Sequence, residues 1–197
     1  MANTAKQSDP LASRSAFTHF QPIESSGLTV DERSTLTIAS IAVRKGQDQA
    51  LATAMKSNYG VDLPSSPMRV ENNGIALVWA GPGLWLATAE RAGGRDLEIE
   101  LKPKLSGLAS VVDQSDGRAV LRMSGKAARD VLAKGLPIDL HQRAFKTGDA
   151  AITHASHIGI TLWQLDDMPT YEIAMFRSFA DGFWHWLQDA AAANGSN

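Results

Sequence analysis

The chain has 197 residues, of which 44% are hydrophobic and 20% charged, a balance typical of a folded protein with one large or two small domains. Its 19 basic and 21 acidic side chains give a net charge of −2, which argues against a nucleic-acid partner. Cysteine is absent, which excludes disulfides, thiolate nucleophiles, iron–sulfur clusters and thiolate zinc sites, and no apolar run approaches the ~20 residues that span a bilayer.

Residues 1–34 are predicted to form an extended arm, because they mix Ser, Asp, Gln, Pro and Gly with only scattered apolar residues. The first ten residues are polar and lack the apolar run of a secretory signal, so we expect a cytoplasmic protein with no membrane partner. Within the arm, Leu11, Phe17 and Phe20 are too large and apolar to remain in water. Either the body of the protein or a partner must cover them.

The first part of the main domain, which is predicted to span residues 35–190, mixes strands and helices. Gly60 is expected to end a helix, and the segment Gly81-Pro82-Gly83 forms a turn that only such residues make at low cost. The predicted elements are a strand at 36–43, a helix at 47–59, a hairpin of strands at 75–79 and 84–89, and a helix at 94–105.

The second part of the domain repeats a similar series. Two strands at 109–114 and 118–123 are predicted to form a second hairpin, because Gly117 can take the positive φ of a tight reversal. Ser124 is predicted to cap the next helix, and Ser178 with Asp181 to form a capping box for the last one. Three strands are predicted between these helices, at 150–155, 158–165 and 171–176, and a frayed tail at 191–197.

Hairpins mixed with helices favour an α+β fold over a parallel, doubly wound sheet. The order strand, helix, two strands, helix, strand occurs nearly twice. The sequence therefore predicts two ferredoxin-like halves with mainly antiparallel sheets and with helices on one side of each sheet.

The side chains form no recognisable nucleotide or metal site. Ser124-Gly125-Lys126 imitates the end of a phosphate loop, but Val120 stands where that loop requires glycine. His154 and His157 are three apart on a predicted strand end, so they point to opposite faces and are expected to be surface or interface histidines. The sequence predicts no cofactor-binding or metal-binding residue.

The candidates for catalysis or substrate binding have simpler interpretations. Adjacent Asp166 and Asp167 precede a Pro and are expected in a solvated turn. The aromatic run 183–186 suggests a cage for a methylated amine, but consecutive helix positions point in different directions. We expect Phe183 and Trp186 to be core, with Trp184 left for the surface or a partner, and we predict no catalytic residue.

Three strings between residues 82 and 187 resemble the sarcosine oxidase gamma subunit family. They are PGLWLA at 82–87, SVVDQSDGRAVLRMSGKAARDVLAKGLPIDLH at 110–141 and RSFADGFWHWL at 177–187. The resemblance implies a fold like the folate-binding domain of aminomethyltransferases. It also implies a complex with alpha, beta and delta subunits, which converts sarcosine to glycine with hydrogen peroxide formed and the one-carbon unit passed to tetrahydrofolate.

In such a complex this chain is expected to be a non-catalytic subunit of an oxidoreductase. The resemblance places FAD, FMN, NAD, the tetrahydrofolate site and zinc in the other subunits. On this interpretation Leu11, Phe17, Phe20 and Trp184 dock against a partner subunit. The alternative is a small stand-alone protein that binds folate or resembles an aminomethyltransferase.

Overall fold

Eleven strands and four helices are formed by the part of the chain that the computed structural model describes, residues 15–21, 23–25 and 27–193. The strands are β1 (Ile23–Ser25), β2 (Leu28–Glu32), β3 (Leu36–Val43), β4 (Arg69–Asn72), β5 (Ile75–Trp79), β6 (Leu84–Glu90), β7 (Ala109–Asp113), β8 (Arg118–Ser124), β9 (Ala150–Ala155), β10 (Ile158–Asp166) and β11 (Thr170–Phe176). The helices are α1 (Asp48–Tyr59), α2 (Leu97–Lys104), α3 (Ala128–Ala133) and α4 (Ala180–Ala192). None of these helices is long and apolar enough to cross a membrane.

The strands form two sheets in which every paired neighbour is antiparallel. The first sheet has the order β4-β5-β6-β3-β7, and the second has the order β1-β2-β8-β11-β10-β9. A tight turn joins β5 to β6, where Gly83 adopts a positive φ of +69°. Another joins β10 to β11, where the Asp166 carboxylate accepts hydrogen bonds from the Met168 and Thr170 N–H groups. Asp167 therefore lies in an exposed turn, as predicted, whereas Asp166 is the half-buried last residue of β10.

Each sheet is the centre of a ferredoxin-like half. In the first half the ferredoxin-like elements are, in chain order, β3, α1, β5, β6, α2 and β7, and their strands lie in the order β5-β6-β3-β7, with β4 added at the edge beside β5. The second half has β8, α3, β10, β11 and α4, but its last strand position, beside β8, is taken by β2 from the start of the chain. The predicted α+β fold with two ferredoxin-like halves is confirmed.

The two sheets face each other, and the helices lie on their outer faces. One core cluster joins α1 and α2 to the first sheet, and another joins α3 and α4 to the second. A small third cluster has residues from both sheets and no helix: Leu36, Ile38, Val78, Leu86, Val120, Ala150, Trp163 and Ala174. The apolar layer between the sheets is therefore small, and it does not fill the space between them at either end.

The predicted second hairpin is wrong, because β7 and β8 belong to different sheets. β7 pairs with β3 in the first sheet, whereas β8 lies between β2 and β11 in the second. The connection crosses from one sheet to the other, held by the Ser115 hydroxyl, which donates to Asp113 at 2.6 Å. Gly117 does not adopt the positive φ that a tight reversal demands. The pairing of β7 and β8 was thus decided by strands distant in the sequence and not by the turn residues between them.

Two predicted helix caps are also wrong. Ser124 is the last residue of β8, and α3 starts later, with Ala127 at its N-cap and no side-chain cap. Its free N–H groups bond to backbone instead, since the Ala127 N–H donates to the Gly27 carbonyl at 2.9 Å. Ser178 lies in a 3-10 turn before α4, which begins at Ala180 without a side-chain cap.

The boundaries of the predicted arm and tail differ from the structure. The arm was expected to span 1–34, but β2 is an interior strand of the second sheet, with Leu28 and Val30 fully buried. It supplies the strand that the second half lacks. At the other end, α4 continues to Ala192, two residues into the predicted tail, and residues 194–197 lie outside the described part.

Both tyrosines of the chain, Tyr59 on α1 and Tyr171 on β11, are buried, and burial raises the pKa of each phenol above its usual value of about 10. We expect little phenolate absorbance from the folded chain at pH 10, where a chemically unfolded sample is about half ionised. The unfolded state releases these protons first, so their contribution to stability is complete below pH 10 and is lost as the pH rises above it. Equal titration of folded and unfolded samples would contradict this.

Candidate functional site

The layer between the sheets opens into one cleft at each end, because each strand of the second sheet directs alternate side chains toward the first sheet. Arg122, Glu172 and Trp163 are neighbours across β8, β11 and β10 and lie at one end. Arg118 and Phe176 are paired across β8 and β11 two rows further on. We call the first opening the polar cleft and the second the apolar groove.

The polar cleft has a volume of about 330 Å³ and is built around the buried carboxylate of Glu172. Oε1 accepts from Arg33 Nε at 2.9 Å and from Arg122 Nη2 at 2.7 Å and Nε at 3.1 Å. Oε2 accepts from the indole Nε1 of Trp163 at 2.9 Å. Both carboxylate oxygens are thus bound to donors from three other strands or strand ends.

At the mouth of the polar cleft, Arg33 also bonds to Glu90, which accepts from the Thr35 hydroxyl at 2.9 Å. Burial by itself lowers the pKa of Arg33 and raises the pKa of Glu90. The hydrogen bond between them, the charge of Glu172 beside Arg33 and the Thr35 hydroxyl on Glu90 outweigh this effect. The pKa of Arg33 therefore lies above its ordinary value and the pKa of Glu90 below it.

This network suits a structural role better than proton transfer. A general base needs an oxygen that can reach the proton of a substrate, whereas the oxygens of Glu172 are already bound to this chain's own guanidinium and indole groups. The network joins the β2–β3 connection, β6, β8, β10 and β11, so it fastens the two sheets to each other. Among the described residues that line this cleft, Arg69 has a buried side-chain nitrogen, Nε, without a hydrogen-bond partner.

The apolar groove has a volume of about 340 Å³ and lies between β6 of the first sheet and β9 to β11 of the second. Large apolar side chains on its rim are exposed to solvent: Leu84, Ile152, Phe176 and Phe179. The guanidinium of Arg118 lies over the Phe176 ring, 4.6 Å from its centroid. Burial lowers the pKa of Arg118 below its ordinary value.

The structure corrects part of the predicted subunit interface. Phe17 and Trp184 are buried inside this chain, with exposed fractions of 6% and 3%, and their ring centroids are 5.5 Å apart. Phe20 is partly buried beside both rings, 5.3 Å from Trp184 and 6.4 Å from Phe17 between centroids. The segment before β1 folds back over α4, so the body of the chain covers these rings. Leu11 lies outside the described residues.

The remaining candidates are dispersed. His154 and His157 are exposed, and a His157 ring nitrogen lies 3.1 Å from the Ser156 hydroxyl. Phe183 is fully buried as predicted, whereas Trp186 is only partly buried, against Gly135. Within the described part of the chain, no group of three or more His, Asp or Glu side chains could hold a metal ion.

Sequence reasoning missed Glu172, Arg122 and Arg118. β11 alternates apolar Tyr171, Ile173 and Met175 with Glu172 and Ala174, a pattern typical of a strand with one face in water, but both faces are buried because the first sheet covers the side of Glu172. A signal was present, because a single Glu within TYEIAMF and a single Arg within AVLRMS are opposite charges inside otherwise apolar strands. Such charges are rarely buried without a partner, so they predict a pair.

Comparison with known proteins places the chain in a family. A sequence model described as "Sarcosine oxidase, gamma subunit family" matches residues 44–193. The chain is 35% identical to a sarcosine oxidase subunit gamma from Arthrobacter sp. over 76% of this chain and 74% of the relative. It is 34% identical to one from Corynebacterium sp. (strain P-1) over 82% and 80%.

Two solved structures share the fold. A chain of the heterotetrameric sarcosine oxidase from Corynebacterium sp. U-96, in complex with pyrrole 2-carboxylate, superposes with a TM-score of 0.75 at 31% identity, covering 86% of each chain. The glycine cleavage system aminomethyltransferase T from Bartonella henselae superposes with a TM-score of 0.58 at 14% identity, covering 82% of this chain and 45% of that one. The second match concerns the fold alone.

Proposed function

This chain belongs to the sarcosine oxidase gamma subunit family, and we propose that it is the gamma subunit of a heterotetrameric sarcosine oxidase and contributes no catalytic residue to it. The observation that carries the proposal is the match to a chain of a heterotetrameric sarcosine oxidase, with 86% of each chain covered. In this proposal the partners are alpha, beta and delta subunits in the cytoplasm. The assembly oxidises sarcosine to glycine, reduces oxygen to hydrogen peroxide and passes the one-carbon unit to tetrahydrofolate.

The non-catalytic role is supported by the way the chain uses its buried charges. The buried acid of the polar cleft, Glu172, is bound by Arg33, Arg122 and Trp163 of the same chain. In the proposal FAD, FMN, NAD, the tetrahydrofolate site and zinc belong to the other subunits. The gamma chain is then a structural subunit that offers binding surfaces to its partners. Its two central sheets, joined by the ion pairs of Glu172 and flanked by helices, form a rigid support for such surfaces.

A second candidate function is favoured by one observation, the polar cleft itself. Its volume of about 330 Å³ is at the low end of the range for ligand pockets, and the chain shares the fold of an aminomethyltransferase. A stand-alone folate-binding protein would use such a cleft. The occupied carboxylate of Glu172 argues against it, because recognition of the pterin ring would need an acid that is free to accept.

Co-expression of the tagged chain with candidate alpha, beta and delta chains of a heterotetrameric sarcosine oxidase tests the assembly. We expect a yellow complex of four different chains, with flavin absorbance and sarcosine-dependent formation of hydrogen peroxide. A colourless monomer that binds tetrahydrofolate would overturn the proposal in favour of the folate-binding alternative.

The proposal that this chain contributes no catalytic residue is tested by the variant Glu90→Gln, which removes the exposed acid at the mouth of the polar cleft. We expect the assembled complex to keep its turnover of sarcosine per flavin within about twofold, because losing a general acid or base costs about a hundredfold or more. A fall of that size in an intact complex would show that the cleft takes part in the chemistry.

A further inference from the structure

We propose that the apolar groove is the docking site for a segment of a partner subunit in which a large apolar side chain stands beside a carboxylate, and that the carboxylate pairs with Arg118. The inference rests on the proposed function, since it assumes a multi-subunit assembly. It adds which surface of this chain is used in the assembly and which types of side chain the partner places there.

The rim of the groove is too apolar for a surface that remains in water. Ile152 and Phe176 are each 52% exposed, Phe179 is 48% exposed and Leu84 is 36% exposed. They come from β6, β9, β11 and the turn before α4, so four separate elements bring apolar side chains to one place. Scattered apolar side chains are ordinary on a protein surface, but a contiguous group around a concavity is typical of an interaction site.

Arg118 indicates the charge of the occupant. Its Nε is buried and has no hydrogen-bond partner, and no described side chain forms an ion pair with it. Its contact within the groove is the face of the Phe176 ring. A guanidinium that loses water without gaining an acceptor is unfavourable, whereas a carboxylate matches its planar fork with two parallel hydrogen bonds.

Arg118 is the cation of the groove, and the other cations nearby are already used. Arg177 donates to the Ser15 carbonyl at 2.9 Å, and Arg33 and Arg122 are bound at the polar cleft. One cation within an apolar rim fits one carboxylate beside apolar side chains. It does not fit a polyanion, which requires several cations along its length.

A second copy of this chain is a poorer occupant than a different subunit. A twofold interface centred on the groove would bring Arg118 of one copy toward Arg118 of the other, with no acid from the rim to separate the charges. A different chain is free of this restriction and can present an acid at the required position. The proposed occupant is therefore a segment of a partner subunit that carries the carboxylate and the large apolar side chain close together.

The test uses the co-expressed complex and measures the affinity of labelled gamma chain for the remaining subunits. Arg118→Glu is expected to weaken association by at least about 30-fold, because a desolvated charge pair becomes a repulsion. Phe179→Asp, which alters the rim without touching Arg118, is expected to weaken it by about tenfold or more. Arg118→Lys keeps the charge without the fork and should fall between wild type and Arg118→Glu.

The matched controls are Arg143→Glu and Met168→Asp, which make the same types of change at exposed positions away from the groove. They should assemble as wild type does. If the wild-type chain fails to assemble, the proposed function is wrong. If wild type assembles and both groove variants bind with unchanged affinity, the docking inference alone is wrong.

If a part of this same chain fills the groove, the same variants give a different result. If Arg118→Glu lowered the thermal stability of the isolated chain and Phe179→Asp left association unchanged, the groove would be filled by this chain itself, and the docking inference would be overturned. If Arg118→Glu does not fold, Phe179→Asp still decides the question, because its side chain lies outside the three core clusters.

Discussion

Replacing Glu172 by glutamine is expected to lower the free energy of unfolding by about 3 kcal/mol, because removing one member of a buried ion pair leaves its partners desolvated and unpaired. The glutamine oxygen could still accept from Arg33 and Arg122, but the negative charge that balances their guanidinium groups would be gone. The new amide group would also place donor hydrogens against groups that only donate. Urea unfolding, followed by tryptophan fluorescence, measures the loss, since Trp163 borders the site.

Glu90→Gln is the matched control, since it removes an acid from the same Arg33 at a position that is half exposed. We expect a loss below about 1 kcal/mol there, as for other solvent-exposed ion pairs. Equal effects of the two substitutions would contradict the conclusion that burial makes Glu172 important. Loss of stability from Glu172→Gln without loss of assembly would agree with a structural network that fastens the sheets.

Replacing Gly125 by alanine is expected to cost about 3 kcal/mol or more, because the new methyl group meets backbone that cannot move aside. A Cβ at Gly125 would lie 2.8 Å from the carbonyl carbon of Gly27, and closer still to its oxygen. The φ of +109° at Gly125 is strained for any other residue. Thermal unfolding of the purified variant measures the effect.

Gly46→Ala separates the two causes. Gly46 also has a positive φ, +76°, but a Cβ there would meet nothing within 4 Å. We expect about 1 kcal/mol of loss from the backbone conformation alone. If the two alanine variants are equally stable, the approach of Gly125 to the Gly27 backbone does not limit the fold.

The contact at Gly125 also explains how the second half is completed. β8 ends where β2 begins, and the Gly27 carbonyl accepts from the Ala127 N–H at 2.9 Å. The segment that resembles the end of a phosphate loop is therefore a close approach between the end of β8 and the start of its paired strand β2. The glycine is needed there for space rather than for a ligand.

Local signals predicted most of the elements. The helix predicted at 47–59 forms at Asp48–Tyr59 and ends at Gly60, which has the left-handed φ of +67°. The hairpin predicted from strands at 75–79 and 84–89 also forms, with Gly81-Pro82-Gly83 at its turn. These features depend on residues a few positions apart, which the sequence displays directly. The ferredoxin-like order followed because it is a series of such elements.

The candidate sites depend on residues far apart in the chain. Arg33 lies 139 residues from Glu172, and Arg122 lies 50 residues from it. No periodicity relates such positions. They meet because β2 occupies the position beside β8 and β11 the position on its other side.

The sequence by itself determined the type and approximate position of the four helices and of eight of the eleven described strands, all but β1, β2 and β4, together with the α+β class and the family. Tertiary structure decided which strands pair, that the two sheets face each other, and hence that Glu172 is buried while Phe176 remains exposed. The physical reason is that secondary structure follows local backbone preferences, whereas burial depends on what covers a face. Trp184 and Phe17 illustrate this, because only the return of the N-terminal segment over α4 buries them.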